Sequence, residues 1–293
     1  MSQPHITLIA GPTASGKSRL AMERARATGA VIINADSQQL YADLRVLSAR
    51  PSAEDEAALP HRLYGVADAA DAWSVGRWSR TVMDLLAELA AEGRPALLVG
   101  GTGLYFNALT KGLAEIPPVS VEVRDAVQAE YDATGEAAFR RRLAEVDPAA
   151  EAAVFPGDRQ RLVRALSVHR ASSRALSDWK ADTRPLLAPG SYEALIVEPP
   201  RERLYASCDA RVDMMMAHGA LDEVRALVAR DLTPDLPAMK AVGVRELAAH
   251  LAGDLSLDDA IAGVKQSTRN YAKRQLTWFR NQQRDWPRHP GFA

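Results

Sequence analysis

The chain has 293 residues, 47% of them hydrophobic and 25% charged, and its formal net charge is −1. That balance fits a soluble globular protein of one large domain, or a core with a smaller insert, and excludes a disordered or fibrous chain. The single cysteine, Cys208, excludes an intramolecular disulfide and a cysteine-based zinc cluster and fits a reducing cytoplasm, while no apolar run reaches membrane-spanning length.

The first apolar stretch, Ile6 to Ala10, is too short for the core of a signal peptide. It reads as a buried strand running into Gly11-Pro12-Thr13-Ala14-Ser15-Gly16-Lys17-Ser18. Gly, four residues, then Gly-Lys-Ser is the spacing of a phosphate-binding loop. Gly11 and Gly16 let the backbone turn so that successive amides face one concavity. Lys17 brings a cation to phosphate oxygens, and Ser18 offers a hydroxyl to a divalent metal. A helix over about 17–27 would aim its positive end at the same point. The loop predicts a polyphosphate and does not distinguish a nucleotide from another diphosphate.

Val31-Ile32-Ile33-Asn34-Ala35-Asp36 reads as a second buried strand ending in an acid. The spacing of Val82, Leu85, Leu86 and Leu89 predicts a helix over 75–92. Ala96-Leu97-Leu98-Val99 reads as a third strand, entering Gly100-Gly101-Thr102-Gly103. Pro117-Pro118 breaks the alternation, and from about Val119 to Ser177 the pattern is helical. Ala194-Leu195-Ile196-Val197 reads as a late strand. After Pro199-Pro200 the pattern is helical to about Trp286, in segments 201–230, 243–251 and 256–284.

Strands alternating with helices predict an α/β fold: a P-loop-containing, mostly parallel sheet flanked by helices, with an inserted all-helical domain. The expected division is 1–118 with 190–293 for the core and 119–189 for the insert. Ligands in such sheets sit beyond the carboxyl ends of the strands. That rule gathers 11–18, Asp36 and 100–103 on one edge.

Asp36 has three readings: a magnesium ligand of an NTPase, a general base for a substrate proton, or a turn acid, since Asp-Ser favours caps. Thr102 reads as a hydrogen-bonding group to a phosphate ester or as a helix cap. Two basic stretches stand out. One holds Lys265, Arg269, Lys273, Arg274, Arg280, Arg284 and Arg288; the other holds Arg140, Arg141, Arg142, Arg159, Arg161, Arg164, Arg170 and Arg174. Local fields of this kind bind a polyanion even on a neutral chain, although a solvated helix face is the plainer account of either one.

Taken together, these segments resemble the bacterial tRNA dimethylallyltransferases, also called tRNA isopentenyl transferases. The resemblance rests on residues 11–18, Asp36-Ser37-Gln38-Gln39-Leu40-Tyr41 and Val99-Gly100-Gly101-Thr102-Gly103-Leu104-Tyr105. It continues through Asp158 with 160–166, Arg211-Val212-Asp213, 241–246, and Thr268-Arg269-Asn270-Tyr271-Ala272-Lys273-Arg274-Gln275 with Thr277-Trp278-Phe279-Arg280. It runs in order from about residue 6 to 286.

The resemblance implies that the loop holds the diphosphate of dimethylallyl diphosphate, whose prenyl group passes to the exocyclic amine of the adenine 3′ to the anticodon. It implies Asp36 as base, Lys17, Arg211 and Thr102 on the leaving diphosphate, and Mg²⁺ near Ser18. It places tRNA against Asp36, Ser37, Gln38, Gln39, Thr102, Arg124, Gln160, Arg161, Leu162, Val163, Arg164, Lys273, Arg274 and Arg280. A cytoplasmic monomer is expected. Leu47-Ser48-Ala49-Arg50-Pro51 departs from the family's usual Gly-Thr-Ala-Lys-Pro, and Val244 replaces a frequent tyrosine. The competing readings are a P-loop small-molecule kinase, an AMP prenyltransferase and an NTP-switched RNA-binding module.

Overall fold

A computed structural model describes residues 5–291, which divide into two compact units: 5–110 with 187–291, and 111–186. The first unit is built on one sheet. Its strands are β1 (Ile6–Ala10), β2 (Val31–Asn34), β3 (His61–Arg62), β4 (Ala96–Gly100), β5 (Tyr192–Val197) and β6 (Arg288–His289). They lie in the order β3-β2-β4-β1-β5-β6, and every pairing is parallel.

Alternate residues of β1, β2, β4 and β5 enter separate cores. Leu8, Ile33, Leu98 and Ile196 point to one face, against Trp78, Phe106 and Phe279. Ile9, Ile32, Leu97 and Leu195 point to the other, against Leu20, Ala21 and Ala25. This period of two, apolar on both sides, is why the strands read as continuous hydrophobic runs. The covering helices are α1 (Lys17–Thr28), α2 (Ala53–Ala58), α3 (Val75–Ala91) and α4 (Gly103–Thr110). After the second unit come α9 (Arg201–Ala217), α10 (Ala220–Val228), α11 (Val244–Leu251) and α12 (Leu257–Gln282).

The register puts Ala10 beside Gly100 and Ile196, and Asn34 beside Val99. The loops after β1, β2 and β4 therefore leave the sheet side by side.

The second unit contains α5 (Val121–Val146), α6 (Pro148–Ala153), α7 (Arg159–Ser172) and α8 (Leu176–Ala181). It has its own core, with Val127, Phe139, Leu143, Leu162 and Leu166 at its centre. Buried Asp147 ties it together by accepting from the amides of Ala150 at 2.9 Å and Ser177 at 3.0 Å. Gly135, with φ of 73°, interrupts α5.

Several expectations shift in detail. The chain leaves the core near Leu109 and returns at Leu187, whose amide donates to the Leu109 carbonyl at 2.8 Å. Pro117-Pro118 therefore lies inside the second unit. The helix expected over 201–230 breaks at Gly219, where φ of 95° is left-handed. The two-residue strands β3 and β6 escaped the sequence reading because they are too short and polar to show a period. β6 extends the sheet through the Ile196 amide on Pro287 O at 2.9 Å and the Glu198 amide on His289 O at 2.8 Å. Among the described residues no helix is long and apolar enough to cross a membrane.

Candidate active site

The loop after β1 wraps the start of α1. Gly16 caps that helix in a left-handed conformation, φ 87°, as its place in the motif requires. The other left-handed residue is Ala14, φ 61°, not Gly11. Gly11 is small for another reason: a Cβ there would stand 2.7 Å from the Val197 carbonyl oxygen and 2.9 Å from Ser15 Oγ. It lets the loop press on the end of β5. The first turn of α1 holds no acid, so its amide end keeps its full attraction for an anion. Ser15 Oγ is buried with no partner among the described residues. A buried hydroxyl of this kind costs stability unless something supplies its hydrogen bond.

Three charged side chains converge on the loop. Lys17 is buried and donates to Pro12 O at 3.1 Å. Burial pulls its ammonium down to about 8; nearby Asp36 opposes this and Arg211 reinforces it. Arg211, from α9, donates to Thr13 Oγ1 at 3.2 Å. Its guanidinium pKa is also lowered by burial, against the pull of Cys208 and Asp36. Two cations buried beside one carboxylate leave the pocket short of negative charge, which a diphosphate would supply.

Asp36 lies two residues beyond β2, so it ends a turn and not the strand itself. Its amide donates to Asn34 Oδ1 at 2.7 Å, while Asn34 Nδ2 donates to the Asp36 and Leu63 carbonyls at 3.0 Å each. Trp78 Nε1 donates to the Asn34 carbonyl at 3.0 Å. Asp36 Oδ1 accepts from the Gln38 amide at 3.1 Å, which leaves Oδ2 for a ligand. Thr102 Oγ1 accepts from the Ser37 amide at 2.9 Å and donates to Ser37 Oγ at 3.2 Å. The Asp36 and Thr102 segments are thus one joined structure. A narrow cleft beside them is lined by Thr13, Asp36, Gln38, Met215, Val242 and Tyr271, among others.

The glycines of 100–103 do more for the protein than for a ligand. A Cβ at Gly100 would sit 2.0 Å from the Ala35 backbone, one at Gly101 2.1 Å from Gln275 Nε2, and one at Gly103 2.0 Å from the Trp278 ring. They allow the Asp36 turn and α12 to close on the strand tip.

The basic residues separate into two kinds. On α12 and beyond, Lys265 pairs with Asp213, Arg269 with Asp209, and both Arg280 and Arg288 with Glu198. Arg280 at 2.6 Å from Glu198 is therefore a tie to the end of β5. Lys273 and Arg274 stay exposed with no ion pair among the described residues. Together with Asn270, Thr277, Trp278, Asn281 and Gln282 they line one open hollow of about 450 Å³. In the second unit, Arg140, Arg142, Arg159, Arg161, Arg170 and Arg174 are all paired with carboxylates. Arg164 has no such partner: partial burial and facing Arg124 lower its pKa. Gln160 is exposed, whereas Leu162 and Val163 are buried in that unit's core, so their side chains do not reach a ligand.

With this geometry in place, the comparisons with known proteins are informative. The family described as IPP transferase matches residues 39–282, and the one described as isopentenyl transferase matches residues 4–68. The chain is 58% identical over 286 residues to a tRNA dimethylallyltransferase of Phenylobacterium zucineum, covering 98% of this chain and 92% of that one. The chain belongs to the tRNA dimethylallyltransferase family. A solved tRNA isopentenylpyrophosphate transferase of Bacillus halodurans is 30% identical, with TM-score 0.69, over 98% of this chain and 90% of that one. A eukaryotic dimethylallyltransferase acting on tRNA shares the fold at TM-score 0.82 and 24% identity, over 94% of this chain and 70% of that one. The chain is thus a prenyl-transferring enzyme.

Residues that sequence reasoning left without a role also stand here. Asn34 holds the Asp36 turn. The Tyr271 hydroxyl, buried and raised in pKa by that burial, faces Gln38 and Thr102. Gln275 bridges two loops. The available signal was periodicity: Thr268, Ala272, Gln275, Leu276 and Phe279 occupy the buried face of α12, and a glutamine in that series must have partners.

Proposed function

We propose that this protein transfers the dimethylallyl group of dimethylallyl diphosphate to the exocyclic amine of the adenine 3′ to the anticodon in tRNA, releasing diphosphate. The observation that carries this reading is the juxtaposition of a carboxylate, Asp36, with two buried cations, Lys17 and Arg211, around an anion-seeking loop. Its relatives' names supply the substrate class.

The carbon–nitrogen bond forms as the allylic carbon–oxygen bond breaks. The amine's lone pair is delocalised into the ring, so it attacks well only if its proton is accepted, and Asp36 takes that proton. The departing diphosphate gains charge, which Lys17, Arg211 and the amides of 11–18 offset. The Thr102 hydroxyl, turning its one proton away from Ser37 Oγ, donates to the bridging oxygen. The adenine is stacked in a free anticodon loop and is extruded to reach the cleft. Lys273, Arg274, Arg124 and Arg164, with Gln160 and the 36–39 turn, contact the RNA; Arg161 and Arg280, paired with Asp158 and Glu198, contribute less.

The residues also fit Mg²⁺. No three His, Cys, Asp or Glu side chains cluster into a metal cage among the described residues. Magnesium at phosphates needs only one or two protein oxygens and keeps several waters, and the exposed Ser18 hydroxyl meets that requirement. When bound, the ion neutralises charge on the diphosphate. The protein acts as a monomer, since each of these groups comes from one chain, and its single cysteine suits a reducing cytoplasm.

The test is incubation with labelled dimethylallyl diphosphate and either unmodified tRNA, AMP or ATP. Label entering tRNA at the adenine beside the anticodon is expected. Label entering AMP in preference to tRNA, or phosphoryl transfer from ATP, overturns the reading.

A further inference from the structure

Gln275 sits on α12 directly after the exposed Lys273 and Arg274, yet it is only 5% exposed. Both ends of its amide are used. Oε1 accepts from the Thr13 amide at 2.8 Å, and Nε2 donates to the Gly101 carbonyl at 2.9 Å. Thr13 belongs to the diphosphate loop, and its hydroxyl also holds Arg211. Gly101 immediately precedes Thr102. The two loops follow different strands, and Gln275 spans them from a third element. The fit is tight, since any side chain at Gly101 would meet Nε2 at 2.1 Å.

The amide is the only common side chain that satisfies this pair of partners. A planar group must offer an acceptor to an N–H and a donor to a C=O from adjacent atoms. Leucine or methionine would leave both backbone groups buried and unpaired. A carboxylate would satisfy Thr13 and turn a lone pair against the Gly101 carbonyl.

We propose that Gln275 is a positioning residue that locks the diphosphate loop in register with the Thr102 turn, so that the loop amides and the Thr102 hydroxyl address the same leaving group. This inference rests on the prenyl-transfer reading and deepens it. Gln275 touches neither substrate, and its effect passes through Thr13 and Gly101. Displacement of reacting groups by about 1 Å costs on the order of 10²-fold in rate, which sets the scale expected for breaking the lock.

The diagnostic variant is Gln275→Glu. Its carboxyl is buried without a donor for Gly101, so its pKa rises. Once protonated, the carboxyl reproduces the amide, with O–H toward Gly101 and C=O toward Thr13. Single-turnover prenyl transfer to tRNA should therefore fall about 10²-fold at pH 8 and recover towards wild type at pH 6, each rate referred to wild type at the same pH. Inorganic diphosphate binding, followed by calorimetry, should weaken at pH 8 and recover at pH 6 in the same way, with tRNA affinity unchanged. Gln275→Met, which has no polar atoms to restore, should show an equal deficit at both pH values. Thermal unfolding of each variant corrects the rates for folded fraction. A wild-type rate and diphosphate affinity for Gln275→Glu at pH 8, or a deficit independent of pH, overturns the inference. Wild-type protein that binds diphosphate but labels no tRNA overturns the reading instead, and the calorimetric arm still decides the lock.

Discussion

The core and the helical unit both carry positive charge, and they treat it in opposite ways. In the core, Lys17 and Arg211 are drawn inward beside Asp36 with no ion pair closing them, and burial lowers the pKa of both. In the helical unit most arginines are neutralised on the surface, such as Arg140 between Glu136 and Glu151 and Arg170 against Glu130. Pairs that solvent still reaches and screens contribute little net stability. Buried unpaired cations lower stability until an anion arrives. A count of basic residues therefore says little about where a polyanion binds. What matters is which cations the fold leaves without an ion pair among the described residues; those at the candidate site are Lys17 and Arg211 in the core and Lys273 and Arg274 on α12, and Arg124 with Arg164 are such residues in the second unit.

The comparison is strained hardest at Asp36. Asp36→Asn preserves the turn, because the Oδ1 bond to the Gln38 amide survives, but it cannot take a proton. Turnover at saturating tRNA should fall roughly 10²–10⁴-fold with tRNA affinity intact. If instead the variant regains its rate at high magnesium, Asp36 is a metal ligand and the core's charge logic is that of a phosphotransferase.

Thr102→Val comes next, with an expected penalty of about 2–4 kcal/mol in activation free energy, larger than any loss in donor affinity. Valine also strands the Ser37 amide, so single-turnover rates and thermal unfolding are measured on the same preparation. A normal rate per folded molecule would assign Thr102 to the turn alone. Lys17→Ala should cost about 10²–10³ in turnover through the leaving diphosphate.

Lys17 also predicts a pH signature. Its pKa in the folded chain, about 8, lies below the ordinary 10.5. Between those values the unfolded chain binds more protons at this group, so the ligand-free stability of wild type relative to Lys17→Met should rise from pH 8 to 10. Diphosphate prefers the charged ammonium, so its affinity should fall over the same range, with proton uptake on binding at about pH 8. Calorimetry in buffers of different ionisation enthalpy measures that uptake. Cys208, whose thiol burial raises to about 11, and the buried tyrosines act in the opposite sense in both proteins, so the comparison with Lys17→Met isolates the lysine.

The smallest effects test the paired and unpaired arginines directly. Lys273→Ala and Arg274→Ala should each flatten the salt dependence of tRNA binding by a slope of about 0.7–0.9. Arg164→Ala should do the same in the helical unit. Arg161→Ala, whose side chain is closed by Asp158, and Arg280→Ala, closed by Glu198, should change the slope less. Equal slopes for all five would mean that the ion pairs open on binding, and the distinction between the two units would dissolve.

Sequence and structure contributed different parts of this account. Strands β1, β2, β4 and β5 were legible because each is apolar on both faces, a pattern that few other elements produce, whereas β3 and β6 are too short and polar to show it. The phosphate loop was legible because its residues are contiguous, and its chemistry needs no partner to be recognised. Asp36 and Thr102 could be nominated from strand ends alone, since a parallel sheet gathers those ends on one edge.

Other features depended on residues far apart in the chain. At 100–103 the space beside the glycines is taken by Ala35, Gln275 and Trp278, which no local pattern shows. Gly11 read as a turn residue, but it is a packing residue against Val197. Leu162 and Val163, inside an arginine-rich motif, proved to be core. Local pattern and composition determined which elements form and which loop seeks an anion. Tertiary structure decided which charges are compensated and how far Lys17 is desolvated. It also brought Gln275 from the last helix to join two loops whose strands are adjacent in the sheet but nearly ninety residues apart in sequence. Neutralisation and desolvation depend on distance in space, and no spacing along the chain encodes them.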